Sequence, residues 1–364
     1  MSGGNMTMDY DQERTYFRGN CVEYDVIDMF QMMVDIALEP RSVLAANVAR
    51  SKNQKSHDLF KHLARYDPFA NRQELLLRTA YGYNGLGMPR LGLESNIDNI
   101  DARMLQQFIM DNITPRKCLI VASGVQNHKE YVDLVKERLG DMLPVPEHNF
   151  QRQQSEYIGG EYREWSESPL TSITLAFESV PWNSPDLQAY YVMNQLIGSA
   201  TAFSSGGPGK GMHCRAITNL MQRHNFVDGA SALNSHFSDS GLFGMTIEGP
   251  GSHSAELMSA LTEELNNLRN PIDETELNRA KNILKMNILM AMERSDDRLE
   301  EIARNYMTFG DLTFHQYCER IDNVTSNDIN RVATQLLQGK PTLLVTGGAI
   351  NLVPGITEVS RQLN

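Results

Sequence analysis

Cysteine is scarce and scattered. Cys21, Cys118, Cys214 and Cys318 stand far apart with no C-x-x-C pair, so neither a disulfide framework nor a zinc ribbon is written into the chain. A reducing interior compartment is the simplest setting for such thiols. Long apolar runs are also missing. The longest strongly apolar stretches, such as Cys118-Leu119-Ile120-Val121-Ala122, are strand-length and fall well short of the ~20 residues that span a bilayer. Basic excess is absent too: 33 Lys+Arg against 45 Asp+Glu leave a formal net charge of −12. That argues against a nucleic-acid partner, which calls for a basic face. An acidic surface attracts basic ligands, although it also serves plain solubility.

Catalytic constellations are lacking as well. His57 and His62 lie in H-D-L-F-K-H, five residues apart. Five residues turn a helix by about 500°, or roughly 140° net, so the two rings diverge. The zinc motifs H-E-x-x-H and H-x-x-E-H need histidines four apart and a glutamate base, and no glutamate lies between these two. His236-Phe237-Ser238-Asp239-Ser240 holds Ser, His and Asp together, but a triad is made by convergence in space, and adjacency along a strand and turn does not supply it. Ser204-Ser205-Gly206-Gly207-Pro208-Gly209-Lys210-Gly211 resembles a phosphate loop only loosely. Its lysine is followed by Gly211 and Met212, where a P-loop needs a Ser or Thr hydroxyl for magnesium. The residues thus predict no catalytic group, no metal site and no cofactor.

What the chain does have is a repeat. Residues 97–124 (IDNIDARMLQQFIMDNITPRKCLIVASG) align without gaps on 321–348 (IDNVTSNDINRVATQLLQGKPTLLVTGG). Ile97, Asp98 and Asn99 face Ile321, Asp322 and Asn323. Leu119 and Val121 face Leu343 and Val345, and Gly124 faces Gly348. Each copy reads as turn, helix (101–112 or 326–337), apolar strand, glycine. Upstream, with small gaps, Thr15-Tyr16-Phe17 sits like Gly241-Leu242-Phe243. Met29, Met32 and Ile36 sit like Met258, Leu261 and Leu265, two helical stripes that read as core.

The pattern predicts an α+β chain of two homologous units, each an antiparallel-dominated sheet with packed helices. The first unit covers 1–145, a linker 146–156 carries proline and glutamine, and the second unit covers 157–364. The second copy also holds a strand near 171–178, a helix near 186–197 and the glycine loop. The first has no counterpart to these, so it is expected to be N-terminally truncated by roughly 70 residues, within usual domain size. The opening MSGGNMTMDYDQERTYF reads as neither signal nor Arg-rich transit peptide. It alternates like a strand, so the chain is expected to begin inside a fold, with any targeting segment outside it. A sheet left open at such a place needs completing, by residues of the same protein or by another polypeptide. A hairpin around Asp11-Gln12-Glu13, helices at 25–38, 42–64, 70–81, 129–139 and 273–293, and an apolar strand at 118–122 complete the reading.

Four glycines in six residues make a costly, backbone-exposing loop, suited either to a mobile lid or peptide contact or to a plain connection. The segment SSGGPGKGMHCRAITNLMQRHNFVDGASALNSHFSDSGLFGM resembles the M16 peptidase family, in its branch of mitochondrial processing peptidase alpha subunits and the second core protein of the cytochrome bc1 complex. DPFANRQELLLRTAYGYNGLGMPRLG and DNITPRKCLIVASGV carry the same resemblance in the first unit. The resemblance implies two α+β domains enclosing a chamber with a beta-type M16 subunit that holds the zinc, and an alpha-type chain that is itself inactive. It implies that Gly206, Gly207, Pro208, Gly209, Lys210 and Gly211 capture basic, extended presequence peptides. It further implies a place in the mitochondrial matrix, or on the matrix face of the inner membrane beside cytochrome b and c1 as a core subunit of respiratory complex III, the alternative being a purely structural core protein with no processing role. A catalytic member draws its zinc ligands from the missing opening section and from an acidic residue in the helix that follows. Here residues 41–56 contain no acidic residue, and Lys or Ala cannot replace a carboxylate as a cation ligand.

Overall fold

A computed structural model of the protein describes residues 3–38, 48, 68–90, 92–114, 117–140, 153–201, 213–310 and 313–363. The expected helix at 42–64, with His57 and His62, lies outside them apart from residue 48. Two compact units divide the chain. One takes in Met1–Arg72, Met88–Gln153 and Leu299–Ala303; the other takes in Gln73–Gly87, Gln154–Arg298 and Arg304–Asn364.

The first unit contains the expected hairpin. β1 (Asn5–Tyr10) and β2 (Thr15–Asn20) pair antiparallel, from Tyr10↔Thr15 to Asn5↔Asn20. The turn is closed by Asp11, whose carboxylate accepts the backbone N–H of Glu13 and of Arg14 at 2.7 Å each and pairs with the Arg14 guanidinium. This is the aspartate side-chain turn favoured between strands. α1 (Val26–Leu38) buries Met29 and Phe30, and Phe30 meets Tyr131 of α4 (His128–Leu139) edge to face at 5.5 Å. α2 (Pro68–Tyr81) begins in this unit. α3 (Ala102–Asn112) starts where Asp101 accepts the N–H of Met104, an N-cap that satisfies an orphan donor.

One expected element does not form. Residues 118–122 pair with no strand among the described residues, and Leu119 and Ile120 are exposed. The apolar run is present, but no described strand lies beside it.

The second unit holds a six-stranded sheet in the order β3-β8-β4-β7-β6-β5. Its strands are β3 (Gly160–Trp165), β4 (Leu170–Ser179), β5 (Ser199–Thr201), β6 (Gly229–His236), β7 (Gly241–Pro250) and β8 (Pro341–Gly347). All neighbours are antiparallel except β3, which runs parallel to β8. Alternation along the central strands divides two cores. Ile173, Leu175, Phe177, Phe243, Met245, Leu343 and Val345 face a large helical layer. That layer is made by α5 (Leu187–Ile197), α6 (Ser254–Asn267), α7 (Glu274–Glu293) and α10 (Ser326–Leu337), with α9 (Phe314–Asp322) and α11 (Ile356–Leu363). Ala176, Leu242 and Leu344 face the other way, against Leu75, Leu76, Leu77, Ala80 and Tyr81 of α2. α8 (Ser295–Phe309) connects α7 to α9. Thr325 and Asp328 form a capping box at α10, and Thr313 and Gln316 another at α9. Each satisfies two orphan N–H groups.

Candidate functional site

Residues 202–212, and with them Gly206, Gly207, Pro208, Gly209, Lys210 and Gly211, lie outside the described residues. The structure does show the two roots from which that stretch leaves the fold and returns. The outgoing root is β5, the edge strand, paired on β6 from Ser199↔Ser231 to Thr201↔Gly229. The returning root is Cys214 and the π-helical turn Ala216–Met221, whose Ala216, Ile217 and Leu220 are buried.

The roots touch. Gly198 has φ +70°, and a Cβ placed there would lie 2.4 Å from Cys214 Cβ. Only glycine tolerates both that backbone and that approach. The carbonyl of Gly198 accepts the N–H of Ala232 at 2.8 Å, which ties this corner to the sheet.

Arg215 fixes the returning root. Its Nε and terminal nitrogen donate to the two Glu276 oxygens at 2.7 and 3.0 Å, a bidentate pair. The Glu264 carboxylate lies 3.7 Å away and accepts Asn219 Nδ2 at 2.9 Å. Arg215 and Glu264 are both buried, and Glu264 Oε1 has no hydrogen-bond partner. Burial pushes the Glu264 carboxyl up, and Asn219 and Arg215 offset that only in part. Burial works against charge on Arg215, but Glu276 and Glu264 outweigh it and its pKa is raised. One guanidinium thus faces two carboxylates, Glu276 in a bidentate pair and Glu264 at longer range, and no nucleophile–base pair is formed.

The Ser/His/Asp segment does not assemble into a triad. His236 is buried, with Nδ1 2.8 Å from the Val180 carbonyl and Nε2 without a partner. Its ring sits among Trp182, Tyr190 and Tyr191 at 5.4–5.9 Å. Burial pushes its pKa down to about 4. Ser240 Oγ donates to Glu178 and meets Tyr81 Oη, while Asp239 accepts the backbone N–H of Ser155. Each polar group is spent on a separate structural bond. Among the described residues no three His, Cys, Asp or Glu side chains gather to hold a metal ion, and no helix is long and apolar enough to cross a membrane.

Arg215 and Gly198 are nearly silent in the sequence. The partners of Arg215 lie some fifty to sixty positions away, and the constraint on Gly198 comes from a contact with Cys214. A small residue just before an edge strand and an arginine just after a glycine-rich run are the only local signals.

Comparison with known proteins bears on the same region. The family model described as Peptidase M16 inactive domain matches residues 99–284. The alpha subunit of the mitochondrial processing peptidase of Solanum tuberosum is 28% identical over 369 residues, covering 99% of this chain and 71% of the potato protein. The corresponding Caenorhabditis elegans subunit is 30% identical over 293 residues, covering 74% of this chain and 56% of the nematode protein. Among solved structures, a chain of complex III2 from Candida albicans, bound to Inz-5, matches with a TM-score of 0.84. It covers 99% of this chain and 86% of that one at 18% identity, a likeness of fold.

Proposed function

The chain belongs to the Peptidase M16 inactive-domain family, and from that premise we propose that it is the non-catalytic alpha-type subunit of a mitochondrial processing peptidase. In this reading it captures basic, extended presequences and presents them to a zinc-bearing beta-type M16 subunit. It works in the mitochondrial matrix, or on the matrix face of the inner membrane. The observation that carries the reading is the match to alpha subunits along 99% of the chain. Electrostatics agree with it, since a net charge of −12 favours encounter with a positively charged peptide.

The capture element is Gly206, Gly207, Pro208, Gly209, Lys210 and Gly211. Glycine-rich backbone offers N–H and C=O groups to an extended peptide with few side chains in the way. Rigid roots at Gly198 and Arg215 would confine the loop's ends and so lower the ordering cost of binding. The test is deletion of residues 205–211 in the assembled alpha–beta pair. A KM for presequence peptides raised at least tenfold, with turnover little changed, is expected. Unchanged KM and turnover would remove the loop from the account.

The fold likeness to a complex III chain favours a second role, as a core subunit of respiratory complex III next to cytochrome b and c1. Co-purification of the chain with both cytochromes, and presequence cleavage by the same particle, would establish both roles together. Purification of the processing pair free of cytochromes, with no chain left in complex III, would remove the second.

A further inference from the structure

The sheet of the second unit ends on a strand whose outer edge is open. β3 pairs with β8 alone, in unbroken register from Gly160↔Thr342 to Trp165↔Gly347. A strand bonded on one side turns half of its N–H and C=O groups outward. Among the described residues, the backbone of 160–165 bonds to nothing but β8. Proteins blunt such edges with proline, bulges or free charges. β3 has no proline and no bulge, and two of its three charged side chains are spent on the fold. Arg163 donates to the Ile350, Val353 and Pro354 carbonyls, and Glu161 accepts the N–H of Ile356.

Each face of this strand carries side chains without partners. Tyr162 lies on the α2 face, packed against that core. Beside it the Arg78 guanidinium of α2 stacks over two rings, 5.6 Å from the Tyr162 centroid and 5.8 Å from that of Tyr83. Two rings hold the guanidinium plane and leave its N–H edge free. Among the described residues no carboxylate pairs with it, in a chain of 45 Asp and Glu against 33 Lys and Arg. A planar fork held in this way matches a carboxylate in two parallel bonds. Glu164 stands two residues on, exposed on the same face. Trp165 alternates to the other face and is 65% exposed. Leu352, in the segment whose carbonyls Arg163 holds, is 57% exposed.

We propose that β3 is a docking edge for an extended segment of a partner protein, added antiparallel, whose acidic side chain pairs with Arg78 and whose apolar side chain covers Trp165 and Leu352. The register sets the pattern. A residue opposite Tyr162 reaches Arg78. A residue opposite Glu164 lies on the same face and calls for a basic side chain, and one opposite Trp165 lies on the other face. Antiparallel pairing is the more stable arrangement, and it orders the segment as apolar, basic, any, acidic. Main-chain bonds give such a complex its affinity, and contacts at alternate side chains give it specificity. Arg78, Tyr83, Tyr162, Glu164, Trp165 and Leu352 all belong to the second unit, whose core is closed without the added strand.

The test titrates the full-length protein with the labelled peptide TVTLKTEVT, in which Leu, Lys and Glu fall opposite Trp165, Glu164 and Tyr162. TVLTKTEVT has the same composition but puts Leu and Glu on one face. The first peptide is expected to bind at least tenfold more tightly than the second and to slow exchange of the outward amides of residues 160–165. Arg78→Gln, which keeps the stem and loses the charge, and Trp165→Ser, at an exposed position, are each expected to weaken binding at least tenfold with melting unchanged. Replacing the peptide Glu by Gln should cost as much as Arg78→Gln and add nothing in that variant. Several results overturn the proposal: equal binding of the two peptides, binding of neither, undiminished binding to either variant, or additive losses in the Arg78→Gln cycle. Outward amides of 160–165 already protected in the unliganded protein would do the same, since its own chain would then cover the edge. None of these readouts uses processing activity, so this proposal and the presequence reading can fail separately.

Discussion

Arg215→Met tests the buried cluster of Arg215, Glu264 and Glu276. Arg215 and Glu264 are 8% and 2% exposed, and among the described residues the arginine is the cation paired with both Glu264 and Glu276. Removing one partner of a buried pair costs about 3–5 kcal/mol, because the remaining charge is left uncompensated. Glu276 has 26% of its side chain exposed, so solvent screens its share, and Glu264 carries most of the loss. The expected deficit is therefore about 3 kcal/mol at pH 8. Burial already holds the folded-state pKa of Glu264 above the ordinary carboxyl value, and it rises further without the arginine. The penalty is thus full above that folded pKa and is relieved as falling pH protonates the carboxyl. The deficit should narrow at pH 5, and Glu264→Gln added to Arg215→Met should recover about half of it. Both tryptophans, Trp165 and Trp182, belong to the second unit, so urea unfolding followed by tryptophan fluorescence reads this unit alone. A deficit below about 0.5 kcal/mol at pH 8, or one that neither low pH nor Glu264→Gln reduces, would refute the reasoning.

Other expectations follow from single sites. His236, held neutral with a pKa of about 4 against an ordinary 6.5, binds its proton more tightly in the unfolded chain. It therefore withdraws stability as pH falls below about 6.5, by about 2 kcal/mol at pH 5. His236→Asn should lack this component, read as the difference between the two pH–stability curves. Gly198→Ala forces a side chain into a glycine-only conformation against Cys214. It should cost about 2–4 kcal/mol by urea unfolding and raise the presequence KM of the assembled pair. Leu76→Ala, at a position 2% exposed beneath the sheet, should cost about 2–4 kcal/mol in the same assay.

Much of this architecture was legible because duplication writes each element twice. The hairpin at β1–β2, the helices α1, α3 and α4, and the strand–helix order of the second unit all follow from periodicity read against the repeat. The strand at 118–122 was legible as a pattern and absent as a structure. A strand exists only beside a neighbour, and sequence periodicity reports burial preference without reporting who is there to pair. β3 (GEYREW) and β6 (GASALNSH) carry no strand pattern of their own, because charged and small residues occupy positions whose role is set by their sheet neighbours. Arg215, Glu264 and Glu276 carry no local signature, since their meeting is a product of the fold. The glycine run is visible from composition alone, whereas the contacts of the residues that flank it need coordinates.

The most direct measurement is presequence cleavage, with zinc content, for this chain alone, for a beta-type M16 subunit alone and for the two combined. The account expects no cleavage and no stoichiometric zinc with the isolated chain, and cleavage restored when the pair is assembled. A purified chain that binds one equivalent of zinc and cuts presequences unaided, with activity lost to a chelator, would contradict it.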